Sequence, residues 1–269
     1  KRKLNIMPSW LLSPIHNLNK FLVNSFPSFE KHNIGNNTCG DRDVHNLMDR
    51  SKIHLEFTKA EEMLGRKYLK KFGASEKDKF VCLTVNDSSY LNTYHPHNDW
   101  SYHNYRNANI DNHILAAEEL ASRGYFVFRM GKIVSRPLKS SNHKIIDYAS
   151  SNLRNDFMDI YLAAKCTFCI SASSGFDMVP AIFRKPIVQI IVPLMDAKTE
   201  NKRVLVLTRH HFSKEKKRKL TLSEIALSEI ANCNRTKHFE ASGVEIIENS
   251  PEEIKDVVVE AIKRFKKKL

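Results

Sequence analysis

Short apolar runs rich in Val, Ile and Phe alternate with stretches of helical periodicity from about residue 77 to the end of the chain. This alternation is typical of βαβ units built around a parallel sheet. Several runs are apolar on both faces, which favours strands covered by helices on both sides. The pattern therefore predicts an α/β domain with a mostly parallel sheet and helices on both faces. The predicted strands are residues 80–85, 125–130, 145–148, 167–172, 187–192, 203–207 and 244–247.

Helices are predicted in the intervals between these strands. Residues 112–123 carry apolar side chains at helical spacing and precede Gly124, which suits a left-handed cap, and residues 155–165 show the same periodicity. Capping-box patterns, in which Glu follows Ser or Thr by three positions, predict helix starts at Thr221 and Ser250. The second of these helices runs into the basic end of the chain.

The first 76 residues follow a different pattern. They are loop-like and rich in Asn up to about Asp43, and a helix is predicted over residues 60–72. Because this region lacks the apolar runs that a sheet of its own would need, we interpret residues 1–76 as a partial N-terminal region with a linker, and residues 77–269 as the α/β domain. A chain that begins at Lys1 rather than Met is expected to be part of a longer protein.

Composition adds a strong positive charge to this picture. With 43 Lys and Arg against 30 Asp and Glu, the chain carries a formal net charge of +13, which calls for an anionic partner such as nucleic acid, anionic lipid headgroups or a nucleotide diphosphate. The basic residues cluster in 214–219 and 263–268. We interpret these clusters as solvated faces, or, for residues 261–269, as a tail that contacts an anionic membrane.

The five cysteines show no framework spacing, which predicts reduced thiols and a cytoplasmic location. Cys166 and Cys169 have the spacing of a metal-binding pair, but no second pair or His partner completes a zinc site. We therefore interpret both as core residues. No run of the chain approaches the roughly 18 apolar residues of a membrane-spanning helix.

The loops at the carboxyl ends of the predicted strands are where a parallel α/β sheet binds its ligands. The segment Ser171-Ala172-Ser173-Ser174-Gly175 ends one strand, and a helix is predicted from about Phe176. Small residues let a phosphate approach the backbone, and a helix start supplies free N–H groups. The alternative reading of this segment is a plain Ser cap followed by a tight turn.

A long polar loop, residues 86–109, follows the first predicted strand. It carries Asn86, Asp87 and Ser88 at its start, and His103 and Arg106 further on. It is too aromatic for plain disorder, so its polar side chains are candidates for binding a sugar or a phosphate. Its His and Asp spacing matches no standard metal site.

A third loop follows residues 125–130. Gly131 comes directly after the predicted strand and permits close backbone approach of a ligand. Arg129 and Lys132, on either side, are candidates for contact with a phosphate. Asp156 and Asp159 begin a predicted helix, where carboxylates are favoured by the helix dipole.

Taken together and in this order, these segments resemble a family of bacterial glycosyltransferases of surface-polysaccharide clusters. The resemblance includes Asn86-Asp87-Ser88-Ser89-Tyr90 and Ser173-Ser174-Gly175, and it spans about residues 78–260. It implies the GT-B arrangement of two facing Rossmann-like domains. Residues 77–269 would be the C-terminal, nucleotide-sugar-binding domain, and residues 1–76 part of the acceptor side. The segments that carry the resemblance are residues 80–91, 102–108, 123–131, 146–148, 156–162 and 173–175.

The resemblance further implies direct transfer of a sugar from a nucleotide diphosphate to a hydroxyl of a glycan or lipid-linked acceptor, in surface polysaccharide or lipopolysaccharide synthesis. Neither cofactor nor metal is expected, and the location is the cytoplasm or the periphery of the inner membrane. Asp87 or His103 would accept the acceptor proton. The family pattern has an arginine at the position of Asn86, so Arg106 or Arg129 would have to supply that charge. The implied donor-binding residues are Asn86, Ser88, Arg106, Arg129, Gly131, Ser173, Ser174 and Gly175.

Two other functions remain compatible with the sequence. A nucleic-acid-binding module fits the charge, but none of the standard recognition motifs is found and the basic clusters lie away from the aromatic loop, so no nucleic acid is expected. A nucleotide-sugar epimerase of similar fold is the second alternative, because fold alone does not separate it from a transferase.

Overall fold

The computed structural model describes residues 9–26, 50–172, 174–191 and 203–266. The chain divides into two compact units, Lys1–Arg42 and Asp43–Leu269. In the first unit, helix α1 spans Ser9–Ser25 and contains Pro14. Among the described residues, no helix combines the length and the hydropathy that crossing a bilayer requires. The exposed apolar side chains of α1 include Trp10, Leu12, Ile15, Leu18 and Phe21.

A six-stranded parallel sheet forms the centre of the second unit. Its order is β3-β2-β1-β4-β5-β6, and each adjacent pair is parallel. The predicted α/β class with a mostly parallel sheet is therefore confirmed. The strands are β1 (Phe80–Leu83), β2 (Phe126–Arg129), β3 (Ile145–Ile146), β4 (Phe168–Ser171), β5 (Ile187–Ile191) and β6 (Val204–Thr208).

Helices cover both faces of this sheet. Alternate residues of each strand point to opposite sides, so each strand contributes side chains to both faces. Val81 and Leu83 of β1 belong to one buried cluster, whereas Phe80 and Cys82 belong to the other. The first cluster is completed by helices α4 (Ile114–Ser122) and α9 (Pro251–Lys266), and the second by α2 (Lys59–Lys71) and α5 (Asp156–Lys165). The predicted covering of both faces is confirmed.

The cysteines of the described residues belong to the interior. Cys82, Cys166, Cys169 and Cys233 are buried and free, as expected of core residues, and Cys39 lies outside the described residues. Burial raises the pKa of Cys82 and Cys169 well above the ordinary range, so these thiols stay protonated.

Helix α9 packs its apolar face into the first cluster. Ala261, Ile262 and Phe265 are all buried, so these three residues of the expected membrane tail belong to the core of the domain, whereas Lys263 and Arg264 are exposed. Residues 267–269 of that tail lie outside the described residues. Deleting the whole tail would therefore remove core side chains together with the basic ones.

A small antiparallel sheet follows β6, with the order β8-β7-β9. Residues 244–247 were predicted together with the parallel strands, but as β9 they pair with β7 instead. The period of the apolar residues identifies a strand and does not identify its partner. The remaining elements are α3 (Ser89–Tyr94), α6 (Met178–Ile182), β7 (His210–Ser213), β8 (Arg218–Lys219), α7 (Leu222–Ala226), α8 (Thr236–Ala241) and β9 (Val244–Ile247).

Helix α2, which the sequence analysis assigned to the N-terminal region, packs against α5. Gly65 lies directly against the ring of Tyr161, and Glu62 Oε1 pairs with Lys165 Nζ at 2.6 Å. The division between the two compact units accordingly falls between residues 42 and 43, upstream of the predicted boundary near residue 76. The two boundaries differ because α2 contacts α5, which lies about 100 residues further along the chain.

Gly65→Ala is expected to lower the free energy of unfolding by about 1–3 kcal/mol, although Ala is the better helix former. The added Cβ would overlap the Tyr161 ring, so α2 would have to move away from α5. Urea denaturation measures the change. Lys67→Ala, at an exposed position of the same helix, should have little effect, and equal stability of the two variants would contradict this packing.

Candidate functional site

A cavity of about 650 Å³ opens at the carboxyl ends of β1, β2 and β4. This volume lies within the range of small-molecule sites. The strand order runs outward from β1 in one direction and from β4 in the other, so the two neighbours form a topological switch point, where open α/β sheets bind their ligands. The walls come from residues 84–88 after β1, 130–134 after β2 and 174–176 after β4.

The structure brings most of the predicted site residues together in this cavity. Ser173 lies outside the described residues. Arg129 does not line the cavity, although its neighbour Met130 does. Residues from three separate loops therefore converge on one volume. The predicted residues that line it are Asn86, Asp87, Ser88, His103, Arg106, Gly131, Lys132, Ser174 and Gly175.

Arg154 is a cavity residue that the sequence analysis did not identify. Its Nη2 lies 3.1 Å from Asp156 Oδ1 and also pairs with Asp159, and all three residues line the cavity. The Tyr148 hydroxyl lies 2.9 Å from Asp159 Oδ1. Asp156 and Asp159 begin α5, as predicted, and in addition form a charged cluster on the cavity wall. The sequence signal that could have identified Arg154 is its position two residues before a helix that begins with Asp156 and Asp159.

The carboxylate of Asp87 is already used by the protein. Its Oδ1 accepts a hydrogen bond from the Ser89 amide at 2.9 Å, and its Oδ2 accepts bonds from the Ser135 amide and hydroxyl at 3.0 and 3.1 Å. These contacts connect the loop after β1 to the loop after β2. The arrangement favours a structural role for Asp87 over proton transfer, because a general base needs a lone pair directed at its substrate.

Arg129 forms a buried charge cluster beside the cavity. Its side chain is 1% exposed, with Nη2 3.9 Å from Asp87 Oδ2 and Nη1 3.6 Å from Asp147 Oδ1. Burial lowers the pKa of Arg129, and the charges of Asp147 and Asp87 oppose that shift. Arg129 is among the residues that line a second cavity of about 250 Å³. Its charge is directed to the two aspartates, which argues against contact with a phosphate in the main cavity.

Asn86 connects two loops of the site. Its side-chain Nδ2 donates a hydrogen bond to the Ala172 carbonyl at 2.9 Å. Its backbone carbonyl accepts a hydrogen bond from the Ala108 amide at 3.0 Å. The side chain therefore holds the loop after β1 against the end of β4. Of the two arginines expected to contact a phosphate, Arg106 lines the cavity and Arg129 does not.

Hydroxyl groups at the end of β4 hold the loop that follows this strand. Thr84 Oγ1 lies 3.1 Å from Ser171 Oγ, which donates a hydrogen bond to the buried carboxylate of Asp177. Gly175 begins a 3₁₀ turn, and the helix that follows, α6, has only five residues. The predicted helix from about residue 176 is therefore short, so its dipole adds little to anion binding.

His103 lies among aromatic rings at the cavity wall. Its ring stacks on Trp100, with 6.4 Å between the ring centroids, and its Nδ1 has no hydrogen-bond partner among the described residues. Burial lowers the pKa of His103, and the positive charges of Arg106 and Arg235 lower it further. The imidazole is therefore neutral at neutral pH, the form that accepts a proton.

No family model matches the chain, and neither does any of the curated proteins. Among solved structures, the chain is similar to the glycosyl transferase family 9 from Veillonella parvula DSM 2008, with 12% identity and a TM-score of 0.43 over 79% of this chain and 56% of that one. It is also similar to E. coli ADP-heptose lps heptosyltransferase II, with 14% identity and a TM-score of 0.39 over 79% and 54%. The chain spans about half the length of each of these structures.

Proposed function

We propose that the unit 43–269 binds the nucleotide diphosphate of a sugar donor and is the donor half of a glycosyltransferase. The observation that carries this proposal is the cavity at the switch point between β1 and β4, which receives Arg106 and His103 from one loop and Ser174 and Gly175 from another. Nucleotides bind at this place in doubly wound sheets. No glycine occurs between residues 74 and 123, so the connection after β1 cannot form the glycine-rich turn of a dinucleotide site.

In the reaction we propose, the bond between the anomeric carbon of the sugar and the diphosphate oxygen breaks. A bond from an acceptor hydroxyl to that carbon forms. The guanidinium of Arg106 and the backbone N–H groups at Ser174 and Gly175 stabilise the charge on the departing nucleoside diphosphate. The acceptor would be a glycan or a lipid-linked glycan of the cell surface.

His103 is the better supported of the two residues predicted to act as the base. It lines the cavity, and its lowered pKa keeps it neutral and able to take the acceptor proton. Asp87 lines the same cavity, but its oxygens already accept three hydrogen bonds from Ser89 and Ser135. We therefore assign to Asp87 the task of holding the two loops together.

Gly175→Val tests the phosphate site. Gly175 is exposed, and a Cβ at this position meets no atom within 4 Å, so the variant should fold. The valine side chain would occupy the space that the phosphates need, and affinity for UDP, GDP, ADP and dTDP should fall by roughly tenfold or more. Calorimetric titration measures the affinity, and a thermal melt checks the fold.

Gly175→Ala is the matched control, because its single methyl group should reduce affinity less than valine does. Unchanged affinity in folded Gly175→Val would move the phosphates away from this loop. A panel of nucleotide sugars with product analysis then separates transfer from epimerisation, because an epimerase changes the sugar without an acceptor.

A further inference from the structure

Arg209 is a buried arginine outside the cavity. It lies between the end of β6 and the start of β7 and is 5% exposed. Its backbone amide donates a hydrogen bond to the Ile191 carbonyl at 3.2 Å, so its main chain is attached to the end of β5. The position is therefore fixed by the central sheet.

The guanidinium of Arg209 binds three consecutive backbone carbonyls. Nη1 donates to Tyr105 O at 3.1 Å and to Asn107 O at 2.8 Å, and Nη2 donates to Arg106 O at 3.0 Å. These carbonyls end the 3₁₀ helix Ser101–Arg106, where carbonyls lack partners within the helix and carry partial negative charge. The rigid fork of an arginine can reach all three at once, which a lysine cannot do.

The segment held in this way forms one wall of the cavity. His103, Asn104, Arg106 and Asn107 all line the cavity, whereas Arg209 does not. On the other side of the segment, Thr236 Oγ1 donates to Ser101 O at 2.9 Å and accepts from the Tyr105 amide at 3.3 Å. The backbone of the wall is thus held by hydrogen bonds from two side chains, Arg209 and Thr236, and Arg209 makes three of these bonds.

The charge of Arg209 is costly to bury. Burial lowers its pKa, the charge of Glu248 opposes that shift, and the charge of Arg106 adds to it. An apolar side chain would fill the same volume without the desolvation cost of a guanidinium. Its contacts serve the backbone of a site loop, which favours a role in positioning over a role in general stability.

We propose that Arg209 is a positioning residue, which fixes the wall that carries His103 and Arg106 and thereby determines how strongly the cavity holds a nucleoside diphosphate. The inference about affinity rests on the proposed function. The inference about the geometry of the wall does not, because it follows from contacts within the protein.

Two variants of Arg209 test the proposal, with UDP as the probe. Arg209→Met removes all three hydrogen bonds and should weaken UDP binding by about tenfold. Arg209→Lys keeps the charge and part of the bonding, so it should give an intermediate loss and remain folded if the Met variant does not. Arg218→Met is the matched control, because Arg218 binds the Lys219 carbonyl and the Glu224 carboxylate and does not line the cavity.

The pKa of His103, followed by NMR with His103→Gln for assignment, provides a readout that needs no ligand. Loosening the wall should hydrate the imidazole and raise its pKa toward the ordinary value in the Arg209 variants, but not in Arg218→Met. An unchanged His103 pKa together with unchanged UDP affinity in a folded Arg209 variant would overturn the proposal. A raised pKa in a protein whose wild type binds no nucleoside diphosphate would support the positioning role and refute the proposed function.

Discussion

Arg129→Met is expected to lower the free energy of unfolding by about 3–5 kcal/mol, because it breaks a buried ion cluster from one side. Arg129 is 1% exposed, and its partners Asp87 and Asp147 are only 15% and 14% exposed. Without the guanidinium, both carboxylates would lose their shared counter-charge, with little solvent to screen their own charges. Urea denaturation at neutral pH measures the change.

The double variant Arg129→Met/Asp147→Asn checks the cause. It should be less destabilised than the sum of the two single variants, because removing both charges leaves less uncompensated charge in the interior. Asp147 Oδ1 has no hydrogen-bond partner among the described residues, so replacing this oxygen by the amide group of Asn breaks no hydrogen bond at that position. Additive effects, or an Arg129→Met variant as stable as the wild type, would rule out the cluster as a source of stability.

Acidification from pH 7 to pH 4 is expected to remove about 3 kcal/mol of stability through His113 alone. Burial, with a smaller contribution from the charge of Arg209, lowers the pKa of His113 to about 4, against the opposing effect of its bond to the Asn109 carbonyl. The unfolded chain binds this proton near pH 6.5. Stability is therefore lost as the pH falls from about 6.5 to 4, and the loss is complete below the folded pKa.

Denaturation curves at several pH values, compared between the wild type and His113→Gln, isolate this contribution. Glutamine keeps a donor for the Asn109 carbonyl but does not titrate, so the variant should lose the steep dependence between pH 4 and 6.5. His97→Gln, at an exposed position, is the control and should follow the wild type. Parallel curves for the wild type and the His113 variant would show that His113 does not titrate as its burial requires.

Local patterns in the sequence were sufficient for most of the elements. The capping box at Thr221 forms as predicted, with the Glu224 amide 3.2 Å from Thr221 Oγ1 and the Thr221 amide 2.8 Å from Glu224 Oε2. Apolar runs identified the strands of the parallel sheet, and the four central strands β1, β2, β4 and β5 are buried on both faces. The site loops followed from the same pattern, since carboxyl ends of parallel strands lie at one edge.

Strand β7 shows where such reasoning stops. Its sequence His210-His211-Phe212-Ser213 has no apolar period, and its pairing with β9 joins residues that lie more than 30 positions apart. The contact of helix α2 with α5 was likewise not visible in the sequence, because its partner Tyr161 is remote from Gly65 along the chain. Strand pairing and helix packing depend on which surfaces meet in the folded chain. The spacing of apolar residues along the sequence does not identify those surfaces.

The sequence by itself determined the α/β class, the strands of the parallel sheet, the capped helices and the loops in which most of the cavity residues lie, because each depends on neighbours within a few positions. The tertiary structure decided what those residues do. It directed Arg129 to Asp87 and Asp147, used the Asp87 carboxylate to join two loops, and attached the Arg106 segment to Arg209, about 100 residues away. The partners of a buried charge depend on the folded chain, because only folding brings remote groups within hydrogen-bond distance and removes the water that would otherwise solvate them.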